Sequence, residues 1–278
     1  MTQQQREAVA AMLRTSPFDP AGDLREQRPL FDKMMAAAPV PADVVTTPGQ
    51  LGGVPVISVD IPGTTTGGVI LYFHGGFFAS GSAAASVSLA SDLARQARMQ
   101  VVTVDYRLAP EHPYPAAPHD AMAAYQGLLD SGQDAARFAL AGESAGATLA
   151  VVTLAAIGRA GLPQPTSAVL MSPWADLAGA GDSIKTKADV DPVITADAIH
   201  VRARDYLGGT DACDPAVSPV YASLAGLPPL LIQAGSHEVL LDDAGPARCP
   251  GRLRRRRGHP GRGTWRAPRV PGVRRHPA

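Results

Sequence analysis

A serine flanked by glycines is the first feature of the sequence that could do chemistry. Gly142-Glu143-Ser144-Ala145-Gly146 follows an apolar stretch typical of a strand, residues 138–141, and opens a stretch typical of a helix, residues 145–158. Glycines suit a sharp strand-to-helix turn, where a side chain would clash with neighbouring backbone. A serine there stands at a helix N-terminus, whose N–H groups favour developing negative charge. We therefore predict that Ser144 is a nucleophile.

A second glycine-rich segment, His74-Gly75-Gly76, ends an earlier apolar stretch, residues 69–73. Glycines let the backbone pass close to a reacting carbonyl group and direct N–H groups at its oxygen. Gly75 and Gly76, with the N–H of Ala145, are thus candidate oxyanion-hole donors. The alternative is a simple tight turn, but two such turns at two strand ends favour a site.

Carboxylates follow a third apolar stretch, residues 230–234. Glu238, Asp242 and Asp243 all lie where a carboxylate could orient a histidine and stabilise its charged form. Each of them alone is more often a solvated loop charge. The position of the residues leaves the choice among the three open.

The elements around these segments alternate between short apolar strands and helices, which predicts an α/β fold with a mostly parallel, doubly wound sheet. Ligands bind beyond the carboxyl ends of such strands, where all three segments fall. Helical segments over residues 1–45 suggest a cap. Strands are predicted at 54–60, 69–73, 101–105, 138–141, 168–172 and 230–234, and helices at 87–97, 120–129, 145–158 and 196–206.

The composition excludes several classes of protein. With 45% hydrophobic and 18% charged residues, the 278-residue chain has an ordinary globular balance and the length of one large domain. It contains no apolar run of about 20 residues, so we expect no membrane span. The N-terminus lacks the pattern of a signal peptide, which predicts a cytoplasmic protein. Two cysteines are too few for a disulfide framework or a metal cluster, and no metal is expected.

Charge is divided unevenly along the chain. Residues 244–278 hold 11 of the 25 Lys plus Arg and none of the 25 Asp plus Glu, which leaves 14 basic against 25 acidic residues before them. Arg, Pro and Gly fill most of this tail. Such a composition cannot bury a core, so we predict that residues 244–278 are disordered.

Five ordered motifs run through roughly residues 40–243. They are His74-Gly75-Gly76, residues 105–113, Gly142-Glu143-Ser144-Ala145-Gly146, Ser172-Pro173-Trp174-Ala175-Asp176 and Asp191-Pro192. Together they resemble the motifs of the bacterial hormone-sensitive lipase family of esterases. The resemblance implies an α/β-hydrolase fold with a helical cap and a triad of serine, acid and histidine. It also implies hydrolysis of short-chain acyl esters, as an esterase or lipase without a cofactor, and suggests a homodimer.

The resemblance also assigns roles. When the motifs are aligned with the family's, its catalytic acid falls on Glu238. The helical cap is expected to consist of residues 1–45 with a contribution from 176–210, and the hydrolase core of residues 46–243. Phe77 stands where the family has a third glycine, which narrows the acyl pocket. Four other histidines are expected to be packing residues: His112, His119, His200 and His237.

The family's catalytic histidine position falls on Pro268. His259 and His276 are the remaining candidates for the base, although neither follows a strand-like segment. We therefore expect impaired catalysis, with the last strand and helix of the fold missing or disordered.

A change of reading frame after Asp243 is one hypothesis for the tail, because Arg, Pro and Gly dominate out-of-frame translation of GC-rich DNA. Residues 268–277 can be encoded so that the next frame reads His-Val-Phe, a context the family uses for its histidine. Synonymous codons were chosen to obtain this result, so it shows compatibility only.

Two other functions compete with the esterase. A non-catalytic small-molecule binding protein would also lack the base, as the plant gibberellin receptors that resemble this family do. The Arg-rich tail could instead be a nucleic-acid-binding arm, because clustered arginines release counterions from phosphates. Its many prolines and glycines argue against that, and we predict an ester substrate and no nucleic-acid partner.

Overall fold

Helices and strands alternate along the chain, as the apolar pattern predicts. The computed structural model describes residues 2–65 and 67–245, so the predictions for the tail from residue 246 onward lie outside the described residues. No helix within these ranges is long and apolar enough to cross a bilayer. The helices are α1 (Gln3–Arg14), α2 (Leu24–Met35), α3 (Val87–Ala97), α4 (Ala116–Asp130), α5 (Ala145–Arg159), α6 (Ser183–Thr186) and α7 (Ala196–Leu207). The strands are β1 (Val45–Leu51), β2 (Val54–Asp60), β3 (Val69–Phe73), β4 (Gln100–Val104), β5 (Phe138–Glu143), β6 (Ser167–Met171) and β7 (Leu230–Gln233).

The described strands form one sheet in the order β1-β2-β4-β3-β5-β6-β7. β2 is antiparallel to both β1 and β4, whereas β4, β3, β5, β6 and β7 are parallel to one another. Parallel strands end at the same edge of the sheet, so the loops after β3, β5, β6 and β7 meet there. All three segments predicted to do chemistry lie in these loops.

Helices cover both faces of the sheet, because side chains alternate between faces along each strand. On one face α4 and α5 pack against Leu71, Phe73 and Leu140. On the other face α3 packs against Ile70 and Tyr72. The predicted doubly wound, mostly parallel sheet is confirmed.

The N-terminal helices begin at well-formed caps. Thr2 and Gln5 form a reciprocal capping box at α1, and the Asp23 side chain accepts the Arg25 N–H at α2. Arg28 joins α2 to the body of the protein, since its guanidinium donates to the carbonyl oxygens of Ala79 (2.7 Å) and Ala109 (2.8 Å). The helical character of the segment is confirmed, and its role as a cap remains a prediction.

Strand β1 was not predicted from the sequence. It pairs with β2 in a hairpin across Gly52 and Gly53. β1 is almost entirely exposed, so it lacks the apolar alternation by which a half-buried strand is recognised. At the opposite edge, β7 pairs within the described residues with β6 alone, and Leu231 is 50% exposed. The predicted loss of the following strand and helix falls outside the described residues.

Candidate active site

Ser144 occupies the tight turn between β5 and α5. Its backbone has φ 51° and ψ −120°, a conformation that a residue other than glycine adopts only under constraint. Two hydrogen bonds impose it: Ser144 N–H donates to the Met171 carbonyl (2.8 Å), and Trp174 N–H donates to the Ser144 carbonyl (3.1 Å). The serine is thereby held at the start of α5, where unpaired N–H groups carry partial positive charge.

Close backbone packing explains the two flanking glycines. A Cβ atom on Gly146 would overlap the carbonyl oxygen of Phe73, and one on Gly142 would overlap the carbonyl oxygen of Gly146. Phe73 ends β3, so the first turn of α5 lies in backbone contact with the neighbouring strand. The glycine spacing therefore reflects a steric requirement of this turn.

The loop after β3 lies against the Ser144 turn. A Cβ atom built on Gly75 would be 3.4 Å from the Ser144 Cβ, and Gly76 has φ 107°. His74 anchors the loop: its buried ring stacks on Tyr106 with centroids 4.2 Å apart, and Tyr106 Oη donates to the His74 carbonyl at 2.7 Å. Burial lowers the pKa of His74 to about 4, so its ring is neutral and anchors rather than exchanges protons.

Glu143 lies beneath the same loop. Gly75 N–H points at its Oε1 atom over 3.4 Å, and burial raises the pKa of the Glu143 carboxyl group. Ala145 is the first residue of α5, so its N–H has no acceptor within the helix. Of the three residues predicted as oxyanion-hole donors, Ala145 therefore follows Ser144 directly with its N–H available, and Gly75 lies against the Ser144 turn with its N–H toward Glu143. Gly76 is the next residue of the same loop, and the donor role of all three remains a prediction.

Glu238, in the loop after β7, faces the loop after β6. Its Oε1 atom accepts a hydrogen bond from Ser172 Oγ at 2.9 Å. Its Oε2 atom is buried and has no hydrogen-bond partner among the described residues. Ser172 directly follows Met171, whose carbonyl accepts the Ser144 N–H, so one short segment contacts both Ser144 and Glu238.

Asp242 and Asp243, the alternative acids, face elsewhere. Asp242 Oδ2 accepts the Ser183 N–H at 2.8 Å, and Asp243 Oδ2 accepts the Asp176 N–H at 2.9 Å. Burial raises the pKa of Asp243 to about 7. Both carboxylates therefore fasten backbone of the segment after β6, which leaves Glu238 as the one of the three that is joined to Ser172.

Histidines in the described residues do not contact this carboxylate. The ring of His237, the neighbour of Glu238, is exposed, and its Nδ1 atom lies 3.0 Å from the Oγ atom of Ser236 in the same loop. No hydrogen bond from a histidine ring in residues 2–65 or 67–245 reaches Glu238. His259 and His276, the two candidate bases, and Pro268 all lie outside the described residues.

Sequence reasoning assigned no role to several residues that build the site. Ser172, which has φ 45°, belongs to one of the five motifs, but its contact with Glu238 spans 66 positions and has no local signal. Trp174, whose N–H donates to the Ser144 carbonyl, packs edge-on against Phe77 with ring centroids 5.5 Å apart. The positive φ of Phe77, 60°, places a bulky residue where the family has glycine.

A polar cleft of about 510 Å³ lies at the opposite ends of the strands and is lined by none of these residues. It is bounded by Asp60, Gln100 and Arg137, among others. No group of three or more His, Cys, Asp or Glu side chains in the described part of the chain is arranged to hold a metal ion.

Comparison with known proteins gives consistent matches. A family model described as the alpha/beta hydrolase fold matches residues 70–247. An acetyl-hydrolase from Streptomyces hygroscopicus is 47% identical over 183 residues, covering 66% of this chain and 61% of the relative, so the chain spans less than two thirds of that relative's length. An esterase from Acinetobacter venetianus is 36% identical over 220 residues, covering 78% of this chain and 72% of the relative.

A solved structure shares most of the fold. The crystal structure of an esterase from the bacterial hormone-sensitive lipase family superposes with a TM-score of 0.84 at 39% sequence identity, covering 88% of this chain and 82% of that one. At 39% identity the likeness extends beyond the fold to the sequence.

Proposed function

Because this chain belongs to the bacterial hormone-sensitive lipase family of α/β-hydrolases, whose members hydrolyse carboxylic esters, we propose that it is a serine carboxylesterase acting through Ser144. The observation that carries the proposal is the constrained conformation of Ser144 at the start of α5, beside the Gly75 and Gly76 loop. Such strain persists where the surrounding structure imposes it, and it presents the hydroxyl group for attack.

In the proposed reaction Ser144 Oγ attacks the ester carbonyl carbon and gives up its proton to a general base. The carbonyl oxygen becomes negatively charged and accepts hydrogen bonds from the N–H groups of Gly75, Gly76 and Ala145. The alcohol leaves with the proton from the base, and water then releases the acid from the acyl-enzyme by the same steps. Glu238 is the proposed acid that orients and stabilises the charged base.

The base is the incomplete part of this machinery. Pro268 occupies the family's histidine position, and His259 and His276 are the candidates left in the sequence. Loss of one member of a triad typically lowers the rate by about 10⁴- to 10⁶-fold. We therefore propose that the chain as written is an impaired esterase, and that its tail arises from a change of reading frame, which the gene sequence tests.

Short acyl groups are the proposed substrates. Phe77, which stands where the family has a glycine, packs against Trp174, and the Trp174 N–H donates to the Ser144 carbonyl. We propose that this bulky pair limits the room for an acyl chain. The similar protein from Streptomyces hygroscopicus is named an acetyl-hydrolase, which agrees with a small acyl group.

Three further assignments stay proposals. The cap would consist of residues 1–45 with part of 176–210, above a core of 46–243. The protein would be cytoplasmic and form a homodimer. No cofactor or nucleic acid takes part in the proposed reaction.

Hydrolysis of p-nitrophenyl acetate by the full chain tests the proposal, with Ser144→Ala as the control. Turnover that disappears in the variant supports Ser144 as nucleophile and shows that a base reaches it. A folded chain without turnover, in which a fluorophosphonate probe still labels Ser144, supports the impaired enzyme. Turnover that persists unchanged in Ser144→Ala contradicts the proposal.

A non-catalytic binding protein is the second candidate, favoured by the unpartnered Oε2 atom of Glu238. It predicts saturable binding of a small ligand, measured by calorimetry, in a chain that does not react with the fluorophosphonate probe.

A further inference from the structure

Only one of the two oxygen atoms of the Glu238 carboxylate accepts a hydrogen bond from the described residues. Ser172 Oγ occupies Oε1 at 2.9 Å, while Oε2 is shielded from solvent and accepts no hydrogen bond from the described residues. A buried carboxylate oxygen without a donor is costly, because it has lost its water and gained nothing in return. An N–H donor brought to Oε2 would recover that cost.

The loop that carries Glu238 is held by residues that precede it in the chain. Asp191 Oδ2 accepts the Val239 N–H at 3.0 Å, and Ser183 Oγ donates to the Val239 carbonyl at 2.7 Å. Ser183 Oγ also accepts the Asp242 N–H at 3.1 Å, and Asp242 Oδ2 accepts the Ser183 N–H at 2.8 Å. These bonds fix the backbone that follows Glu238, which limits the positions its carboxylate can take and preorganises it as an acceptor.

The nucleophile and this acceptor share one scaffold. Ser144 N–H binds the carbonyl of Met171, and the next residue, Ser172, binds Glu238. Ser172 N–H in turn donates to the Gln233 carbonyl at the end of β7. The relative position of Ser144 and Glu238 is therefore set by backbone pairing of β5, β6 and β7.

We propose that the site between Ser144 and Glu238 binds a free imidazole-type base, which turns the impaired chain into an esterase that depends on an added co-catalyst. The ligand class is a small heterocycle with one N–H donor and one nitrogen acceptor. Its N–H donates to Glu238 Oε2, and its other nitrogen accepts the hydrogen of Ser144 Oγ. This inference rests on the proposed serine chemistry.

The proton balance closes within the site. As Ser144 Oγ forms its bond to the ester carbon, its proton moves to the acceptor nitrogen, giving an imidazolium ion whose N–H donates to Glu238 Oε2. The imidazolium returns that proton to the leaving alcohol as the carbon–oxygen bond of the ester breaks. Neutral imidazole then takes a proton from water in deacylation and returns it to Ser144 Oγ.

The experiment is hydrolysis of p-nitrophenyl acetate by the full chain at increasing imidazole concentration, at about pH 8, where an imidazole group is mostly neutral. The Ser144→Ala rate is subtracted at each concentration, because imidazole in solution also cleaves this ester. We expect a saturable, Ser144-dependent increase on the order of 10- to 100-fold, a fraction of what a positioned base contributes.

Two comparisons test the role of Glu238. N-methylimidazole has the acceptor nitrogen but no N–H to donate, so its activation should be at least about tenfold weaker, consistent with one lost charge-assisted hydrogen bond. Glu238→Gln keeps the size of the side chain and removes its charge, and it should lose most of the activation by imidazole while its circular dichroism spectrum stays unchanged. Equal activation by both compounds, or in both proteins, contradicts the inference.

Other outcomes separate this inference from the proposed function. A linear dependence on imidazole that matches Ser144→Ala overturns the inference, and labelling of Ser144 by a fluorophosphonate would still leave the nucleophile intact. Turnover without imidazole that is lost in His259→Ala or His276→Ala also overturns it, because the tail would then supply the base. That second result supports the serine esterase itself.

Discussion

At the scale of single residues, the Ser144 turn tolerates almost no added volume. The backbone of α5 touches the end of β3 through Gly146, and a methyl group there would meet a carbonyl oxygen rather than a side chain that can move. Flexible side chains absorb overpacking by changing rotamer, whereas backbone must shift as a unit.

Gly146→Ala should therefore lower the free energy of unfolding by about 3 kcal/mol or more, at the upper end of overpacking costs. Gly49→Ala is the matched control, since a Cβ atom on Gly49 would have an ordinary contact at 3.8 Å with Val56. Urea denaturation of both variants checks this. Equal losses would show that the close approach is not what constrains position 146.

Asp243 should make stability depend on pH in an unusual direction. Burial raises its pKa from 3.8 to about 7, so the folded chain keeps a proton that the unfolded chain has lost between these values. Stability then falls as pH rises from about 4 to 7, by at most about 4 kcal/mol, and is constant for this group above 7.

Denaturation of the wild-type protein and of Asp243→Asn at about pH 5 and pH 8 measures this contribution, because the variant cannot titrate at this position. Relative to the wild-type protein, the free energy of unfolding of Asp243→Asn should be higher at pH 8 than at pH 5. A constant gap would place the pKa of Asp243 near its ordinary value.

Site residues could be predicted from the sequence where the residues that identify them are neighbours in the chain. Ser144, Gly75 and Gly76 were predicted because a turn requires particular residue types within five positions. Ser172, Ser183 and Asp191 act through contacts that span 48 to 66 positions, and a serine or aspartate in a loop carries no sign of its distant partner. Long-range hydrogen bonds are therefore what the sequence could not provide.

At the scale of elements, prediction depended on burial. β2 and β3 have the bounds that their apolar residues predict, and β4 and β6 differ by one position at each end. α4 begins at Ala116 rather than at the predicted residue 120, since Pro118 is tolerated in a first turn, where its missing N–H has no acceptor. β1 contains Pro48 and Gly49 and lies at an exposed edge, which hid it from the pattern.

The attachment of α2 gives a prediction at this scale. Arg28 donates to two carbonyl oxygens in the loops after β3 and β4 and pairs with Glu111, lowering the pKa of that carboxyl group to about 2. Arg28→Ala should cost about 2–3 kcal/mol of unfolding free energy, as hydrogen bonds to charged groups do.

Glu111→Gln should cost less than about 1 kcal/mol, because Glu111 is exposed and Arg28 keeps its carbonyl partners. Arg95→Ala, which breaks the exposed pair with Asp43, is the control and should have a similarly small effect. If Arg28→Ala and Arg95→Ala lower the free energy of unfolding by similar amounts, the Arg28 side chain does not hold α2 to the body of the protein.

At the scale of the whole molecule, zero net charge results from two opposed parts. Residues 1–243 carry 14 basic and 25 acidic side chains, and residues 244–278 carry 11 basic and no acidic ones. Opposite charges on different copies attract each other when salt does not screen them, and a net charge near zero provides no general repulsion.

The full chain should therefore self-associate at low ionic strength and dissociate as salt is added. Light scattering at about 10 mM and about 500 mM sodium chloride checks this, since the screening length falls several-fold over that range. Scattering that is independent of salt would show that the two charged parts do not meet between copies.

The anchoring of the Glu238 loop has a consequence for synthesis on the ribosome. Asp176, Ser183 and Asp191 all precede the loop they hold, and Ser144 and Ser172 precede it as well. A nascent chain folds in the order in which it emerges, so the partners of Glu238 are already available when it leaves the exit tunnel. The acid position can thus be completed as soon as this loop has emerged, because it waits for no later segment to supply these contacts.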